Sequence, residues 1–534
     1  MRRCDWSSKW PRSRLVSLLE GQNLRQRRTE GLVTATVIPQ EATPPLILAL
    51  DIGTSAVRAL LFDRLGRAVQ GPTAREPFEI RTTVEGASEA DPDALLERIW
   101  RCVDGVLAQA GPLTDQIAAV ASCTFVSNLL GVDAAGRAIT PLTTYADTRA
   151  AAEARRLRAE LDEAEVHDRT GCLFHPSYLP ARLRWLATAQ PDRFRRVARW
   201  ISLGEYVELH LFGETAVSYS VASWTGLLDR RRLVWDEKLL AALPIRADQL
   251  SPLTDVSVPR RGLRPPFADR WPALREVPWF PAIGDGAAAN IGSGCVSPRR
   301  VALTMGTTSA IRVVVDGPVE RVPPGLWCYR VDRRRSLPGG ALSEGGNVYA
   351  WMRETLRLAE PEALEPALAA LEPDGHGLTV LPFLAGERSP GWAGHARATI
   401  HGLSLATTPV EVLRAGMEAV AYRLALVFDR LRPLLPEAPQ VVASGGALLH
   451  SPVWLQIVTD VLGRPVAVSQ VAEASGRGAA LLALESLGLL SDVGEAPPFL
   501  GTTYEPNPDH HRRYRQAIAR QQALYEQLVA DRRP

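Results

Sequence analysis

The chain has 534 residues, 46% hydrophobic and 22% charged, a length of two to four domains and enough apolar material for a core without disulfide staples. Sixty-one basic residues against fifty-nine acidic ones leave a net charge of +2, which excludes a whole-protein nucleic-acid or membrane footprint. Lys9 and Lys238 are the only lysines and neither stands in G-x-x-x-x-G-K-[ST], so a Walker-type phosphate loop is excluded; six scattered cysteines and nine histidines form no zinc motif.

Residues 1–44 are Arg-rich, have no apolar period and lack the apolar stretch of a secretory signal. They read as a disordered extension or as the product of a misplaced start codon. The folded chain is expected to begin at Leu46–Leu50, a buried strand, with a second strand over Ala56–Phe62. Between them lies Asp51-Ile52-Gly53-Thr54-Ser55, so the pair is a hairpin. Leu95, Ile99, Val103, Val106 and Leu107 recur at helical spacing, and Ile117–Ala121 reads as a strand. Residues 245–281 carry seven prolines with little periodicity and read as a long surface connection. Asp285 follows Ile283-Gly284 and opens a small-residue helix. Val301–Met305 is a strand ending in Gly306-Thr307-Thr308-Ser309.

Farther on, a long helix runs through Val412–Phe428, and the strand Val441–Ala443 ends in Ser444-Gly445-Gly446. A helix over Trp454–Leu462, a strand over Pro465–Val468, a helix over Gly478–Leu487 and a polar helix over about 510–530 complete the chain. No apolar run approaches the ~18 residues of a membrane-spanning helix. The cysteine spacing suits free thiols in a reducing cytosol, so a cytoplasmic location is expected. The two halves echo each other, each with a strand ending in a Gly/Thr/Ser turn.

A triphosphate held without a P-loop needs turns with successive free backbone N–H groups. Glycine allows such backbones, Thr and Ser add hydroxyl donors, and a carboxylate such as Asp51 suits Mg²⁺ held through water. Alone, Gly284-Asp285-Gly286 also reads as a capped turn, and Arg58 as a solvated strand residue.

Six segments in order over residues 46–485 narrow the choice: LALDIGTSAVRALLFD, TTYADTRA, PAIGDGAAANIGSG, ALTMGTTSAIRVV, LPFLAGERSPGWAGHARATIHGL and VVASGGALLHSPVWLQIVTDVLGRPV. Together they resemble the FGGY carbohydrate kinases of the actin/hexokinase/Hsp70-like superfamily. RTGCLFHPSYLPARLRWL and GALSEGGNVYAWMRETL look most like the gluconate-kinase branch. The resemblance implies two α/β lobes of the actin-like (ribonuclease H-like) kind, 45–296 and 297–534, with an ATP and sugar cleft between them. It implies Asp285 as general base, Thr54, Ser55 and Arg58 on the first phosphate hairpin, and Gly306 and Thr307 on the second. It places Gly445 and Gly446 against adenosine, Thr124, Tyr145, Asp147 and Arg149 with Asp285 on the sugar side, and Asp51 on Mg²⁺. Tyr145 stands where the family motif has Trp, and Ser127-Asn128 where gluconate-type members show His-Ser.

The implied reaction moves the γ-phosphate of ATP, with Mg²⁺, to a sugar, sugar acid or polyol. Gluconate is the first expectation; xylulose, ribulose, another pentose or a polyol is the second. Neither nucleic acid nor a membrane is expected as a partner, and a homodimer is compatible with this reading. A reading from another class is an actin-like ATP-binding sensor with no small-molecule acceptor.

Overall fold

The structure is a computed structural model that describes residues 34–530. Strands β1 (Thr36–Val37), β2 (Leu46–Ile52), β3 (Ala56–Phe62), β4 (Ala68–Pro77), β5 (Ile117–Thr124) and β6 (Trp279–Gly284) form one sheet in the order β1-β4-β3-β2-β5-β6. All seven β2 residues are buried, as expected of a central strand covered on both faces. β2 and β3 make the expected antiparallel hairpin, whereas β2–β5 and β5–β6 pair in parallel. Helix α1 (Pro92–Ala110) lays Leu95, Ile99, Val103 and Val106 on the sheet, and the Asp91 carboxylate caps it by accepting from the Asp93 and Ala94 amides.

Two expectations change. Residues 35–44 are part of the fold: β1 pairs with β4, and the Arg64 amide donates to the Thr43 carbonyl at 2.9 Å. Residues 1–33 of the expected extension lie outside the described residues. The 245–281 segment is also more than a surface connection, because Leu263, Trp271 and Leu274 are buried in the first core. Their irregular spacing hides this; Trp271 is held by its indole N–H on Asp104 at 2.8 Å and by the Trp100 ring at 5.6 Å.

Between β5 and β6 lies a largely helical insertion with its own core around Leu157, Leu183, Trp200 and Leu227. After β6 comes helix α2 (Asp285–Gly292). The second sheet follows: β7 (Arg300–Met305), β8 (Ser309–Arg312), β9 (Val315–Asp316), β10 (Trp327–Arg330), β11 (Arg335–Leu342), β12 (Gln440–Ser444), β13 (Val466–Ser469) and β14 (Leu500–Tyr504). Its order is β9-β11-β8-β7-β12-β13-β14, with β10 on β11. β7–β8 is an antiparallel hairpin, and β7–β12 and β12–β13 are parallel, the pattern of the first sheet again. Helices α3 (Pro409–Leu431), α4 (Pro452–Leu462) and α6 (Pro508–Leu528) accompany this sheet, whereas α5 (Ala474–Ser486) packs on the first sheet, with Ala479 and Ala483 in one core with Ile47, Ala49 and Ala121. A Thr408–Glu411 capping box starts α3. The chain is thus a two-lobed α/β fold of the expected actin-like kind.

The lobes are joined by α2 crossing α5. A Cβ on Gly478 would run into the Ala288 carbonyl, and one on Gly292 into the Ala474 carbonyl, so the two backbones touch. The buried Arg477 side chain closes the joint, donating to the carbonyls of Gly66 at 2.8 Å, Pro497 at 2.6 Å and Gly292. Among the described residues no helix is long and apolar enough to cross a membrane, and Cys102, Cys123, Cys172, Cys295 and Cys328 are buried free thiols.

Candidate active site

Three adjacent parallel strands of the first sheet end together. Asp51 pairs with Cys123 in register, and Thr124 pairs with both Ile52 and Gly284. The carboxyl ends of β2, β5 and β6 therefore present Asp51, Thr124 and, at the first residue of α2, Asp285, where open parallel sheets bind ligands. Two strand spacings put Asp51 and Asp285 roughly 10 Å apart at the backbone. The Asp51 carboxylate accepts from Arg58 Nη1 at 3.1 Å and from Cys123 Sγ at 3.2 Å. Burial, and then the negative charge of Asp51, push the half-buried Asp285 carboxyl up to about 6; the Gly286 N–H, donating at 2.7 Å, and Arg312 pull the other way.

Gly284-Asp285-Gly286 is no free turn. Trp224 lies against it, so that a Cβ at Gly284 would sit 2.9 Å from the indole nitrogen and one at Gly286 3.2 Å from the ring. Trp224 in turn stacks on Tyr329, ring centres 3.6 Å apart, and Tyr329 on Trp327. This aromatic column is the floor beside the acid.

Tyr145 keeps 41% of its surface exposed while the protein around its phenol oxygen desolvates it, and that desolvation, followed by the charge of Asp285, raises its pKa. Asp147 and Arg149 below it are committed to each other. Arg149 donates to Asp147 at 2.5 Å and to Glu89 at 2.6 Å, and its guanidinium lies 4.4 Å over the Trp185 ring. Asp147 also accepts from the Ser88 amide at 3.2 Å. The pair fixes the loop that presents Tyr145. Thr124 is fully buried, with its hydroxyl on the Phe125 carbonyl at 3.2 Å. Ser127 and Asn128 are consumed internally: Ser127 donates to the Trp224 carbonyl at 2.6 Å, and Asn128 accepts from the Leu203 amide at 2.8 Å.

Thr54 and the exposed Ser55 form the tip of the β2–β3 hairpin. Gly306 and Thr307 form the corresponding β7–β8 turn, and Gly445, at φ +92°, passes against the Met305 carbonyl where no Cβ fits; Gly446 follows it. The structure thus brings Asp51, Arg58, Asp285 and Tyr145 into one electrostatic group and Gly306, Thr307, Gly445 and Gly446 into another. The first group touches the start of α5, where Arg58 approaches Glu473 at 3.9 Å and the Ser475 hydroxyl approaches the Asp285 carbonyl at 3.5 Å.

Comparison with known proteins gives the family. Residues 46–292 match the N-terminal domain of the FGGY family of carbohydrate kinases, and residues 301–487 match its C-terminal domain. The chain belongs to the FGGY family. A gluconokinase of Bacillus subtilis (strain 168) is 27% identical over 482 residues, which cover 88% of this chain and 93% of that protein. A glycerol kinase of Stenotrophomonas maltophilia (strain K279a) is 28% identical over 500 residues, covering 91% and 99%. The crystal structure of gluconate kinase from Lactobacillus acidophilus superposes with a TM-score of 0.83 at 25% identity, covering 90% of this chain and 98% of that one. As an FGGY kinase the protein is a phosphotransferase with an alcohol acceptor, and the family implies ATP as phosphoryl donor. The non-catalytic sensor reading is set aside.

Several residues at the FGGY site escaped sequence reasoning. Gly345-Gly346 complete the second cradle, the Gly346 amide donating to the Gly306 carbonyl at 2.8 Å and the Asn347 amide to the Thr307 carbonyl at 3.1 Å. A signal existed: Glu344-Gly345-Gly346 repeats the strand-then-Gly-Gly pattern of Ser444-Gly445-Gly446. Glu344 itself is buried with no hydrogen-bond partner for either carboxylate oxygen among the described residues, and burial pushes it up to about 8. Trp224, Arg312 and Arg388 had no local signal.

Proposed function

We propose that this FGGY kinase transfers the γ-phosphate of Mg·ATP to a hydroxyl of a sugar acid, with gluconate as first choice. A neutral pentose such as xylulose or ribulose, or a polyol, is the second reading. The single observation that carries the chemistry is Asp285, a carboxyl with its pKa near 6 at a strand end beside a second acid. Such a group is ionised at neutral pH yet basic enough to accept a proton in the transition state. The acceptor oxygen bonds to the γ-phosphorus as its proton passes to an Asp285 oxygen. The bond from phosphorus to the β-phosphate bridging oxygen breaks, and ADP leaves.

Thr54, Ser55 and Arg58, with Gly306 and Thr307, take the phosphates through hydroxyls, a guanidinium and turn amides. Gly445 and Gly446 leave room for adenosine. Tyr145 covers the sugar, with Thr124 below it, and Asp147 and Arg149 hold the sugar-side loop. Asp51 offers the oxygen donors that Mg²⁺ prefers, and it fits a metal held through water because Arg58 and Cys123 already touch its oxygens. When bound, Mg²⁺ neutralises phosphate charge. The lobes divide near residues 296–297.

The relation to gluconokinases supports the acid reading. The test is acceptor-dependent ADP release with Mg·ATP, comparing gluconate, other aldonates, ketopentoses and glycerol. Gluconate is expected to give the highest kcat/KM; a ketopentose or glycerol ahead of every aldonate overturns the choice.

A further inference from the structure

Most arginines near the cleft have an anionic or carbonyl partner: Arg58 has Asp51, Arg149 has Asp147 and Glu89, Arg182 has backbone carbonyls, and Arg423 has Glu387. Arg312 at the end of β8 and Arg388 in the Gly386–Pro390 loop do not. Among the described residues neither guanidinium has a hydrogen-bond or ion-pair partner, and the Nε of each is buried. A half-buried cation without a partner is costly, so two that feel each other's charge point to an anion that the protein receives from outside.

Their position says which anion. Arg312 Nε lies 3.4 Å from where a Gly286 Cβ would stand, next to the base. Arg312 is three residues past Ser309, about 10 Å along the strand from the end of the β7–β8 phosphate turn. Arg388 acts electrostatically on Tyr145, His175, Tyr178, Tyr329 and Arg312, the groups of the sugar side. Of the other groups facing this set, Arg158 and Arg182 add positive charge at His175, Asp285 is the acid that faces Arg312, and Glu344 is the acid that faces Arg388, held largely protonated by burial. His175 is held at about 3 by burial and by these arginines, so it adds no charge at neutral pH.

We infer that Arg312 and Arg388 form a specificity-determining subsite that receives the carboxylate of the acceptor, holding its far end while the reacting hydroxyl points at Asp285. The inference rests on the sugar-acid reading and names the residues that enforce it. Two guanidinium groups meet a carboxylate with planar, charge-assisted hydrogen bonds. A neutral acceptor leaves both cations desolvated and unpaired, so discrimination comes from rejection as much as from attraction.

The test uses the full chain with Mg·ATP and two acceptors of one carbon skeleton, gluconate and D-glucitol, which has CH₂OH in place of the carboxylate. Arg312→Gln and Arg388→Gln are expected each to lower the gluconate-to-glucitol ratio of kcat/KM by about 100-fold, mainly through the KM for gluconate. Calorimetric binding of gluconate in the presence of ADP should weaken in parallel. Arg312→Lys and Arg388→Lys keep the charge, are checked by thermal melting, and should hold part of the preference. A Gln variant that melts like the parent and keeps its ratio within about threefold overturns the assignment. Equal loss with both acceptors overturns it too, since the arginines then serve the transferred phosphoryl group. A parent enzyme that prefers glucitol or a ketopentose fails the sugar-acid reading itself, and the inference falls with it. That outcome is visible before any variant is made.

Discussion

In the first sheet the strand before the Gly53–Ser55 turn carries Asp51 opposite Cys123; in the second, the strand before the Gly306–Thr308 turn carries Thr304 opposite Ser444, with their hydroxyls 3.1 Å apart. The hairpins also place their arginines differently. Arg58 stands directly across from Asp51 and is paired to it, whereas Arg312 stands across from Ala302, farther from its turn, and is unpaired. The backbone turn is common to both lobes, and the two strand-end aspartates, Asp51 and Asp285, belong to one. Phosphate binding needs amides, which any sequence supplies once the turn forms; proton removal needs a carboxylate in one place.

The sharpest way to break this comparison is to remove the acid. Asp285→Asn should lower kcat by about 10²–10⁴-fold while nucleotide binding persists, measured by ADP release and by calorimetry. Because the base must be ionised, the parent's kcat/KM should fall as pH drops through about 6, and that limb should vanish from the residual activity of the variant. Asp51→Asn, which takes away the first sheet's other acid, should cost about 100-fold in kcat/KM for Mg·ATP and change its Mg²⁺ dependence.

The joint shared by both lobes gives a stability effect. Gly478→Val must part α2 from α5 and should cost about 1–3 kcal/mol in denaturant unfolding, since the Ala288 backbone cannot give way as a side chain does. Glu344 yields a smaller, pH-dependent difference. Its folded pKa of about 8 lies above the ~4.3 of an unfolded chain, so the protonated acid favours the fold and that contribution is lost as pH rises toward 8. Glu344→Gln should therefore melt progressively higher than the parent between pH 5 and 8, with no further gain above. Least of all, Thr304→Val removes one hydroxyl pair and should cost about 1 kcal/mol or less, with kcat little changed. A large loss of kcat there would mean that chemistry is shared between the sheets after all.

Which of these features were legible in the sequence follows from their range. The hairpin Leu46–Phe62, the strand Val301–Met305 with its Gly/Thr turn, the strand before Gly445-Gly446 and the helix opened by Asp285 are local patterns of apolar runs and turn residues, and they stand where expected; the returning strand Ser309–Arg312 was not foreseen. The floor beneath Asp285 was not readable, because Trp224 is some sixty positions away and reaches Gly284 only through the insertion between β5 and β6. The same holds for the anchoring of the Tyr145 loop through Glu89 and Trp185. An unpaired arginine is the hardest case: Arg312 and Arg388 are distinguished by what does not surround them, which only the assembled fold defines.

The glycine crossing has a consequence for how the acid behaves over a catalytic cycle. Asp285 is the first residue of α2, and Glu473, which approaches Arg58, immediately precedes α5. With bare backbone at the contact point, no side chain stands between the two helices to absorb a change in their crossing angle. Opening would admit water to Asp285, remove the desolvation that lifts it and return it toward an ordinary, weaker base. On the proposed role of Asp285 as base, its proton-accepting strength would follow closure, greatest when no bulk water is present to be phosphorylated in place of the sugar.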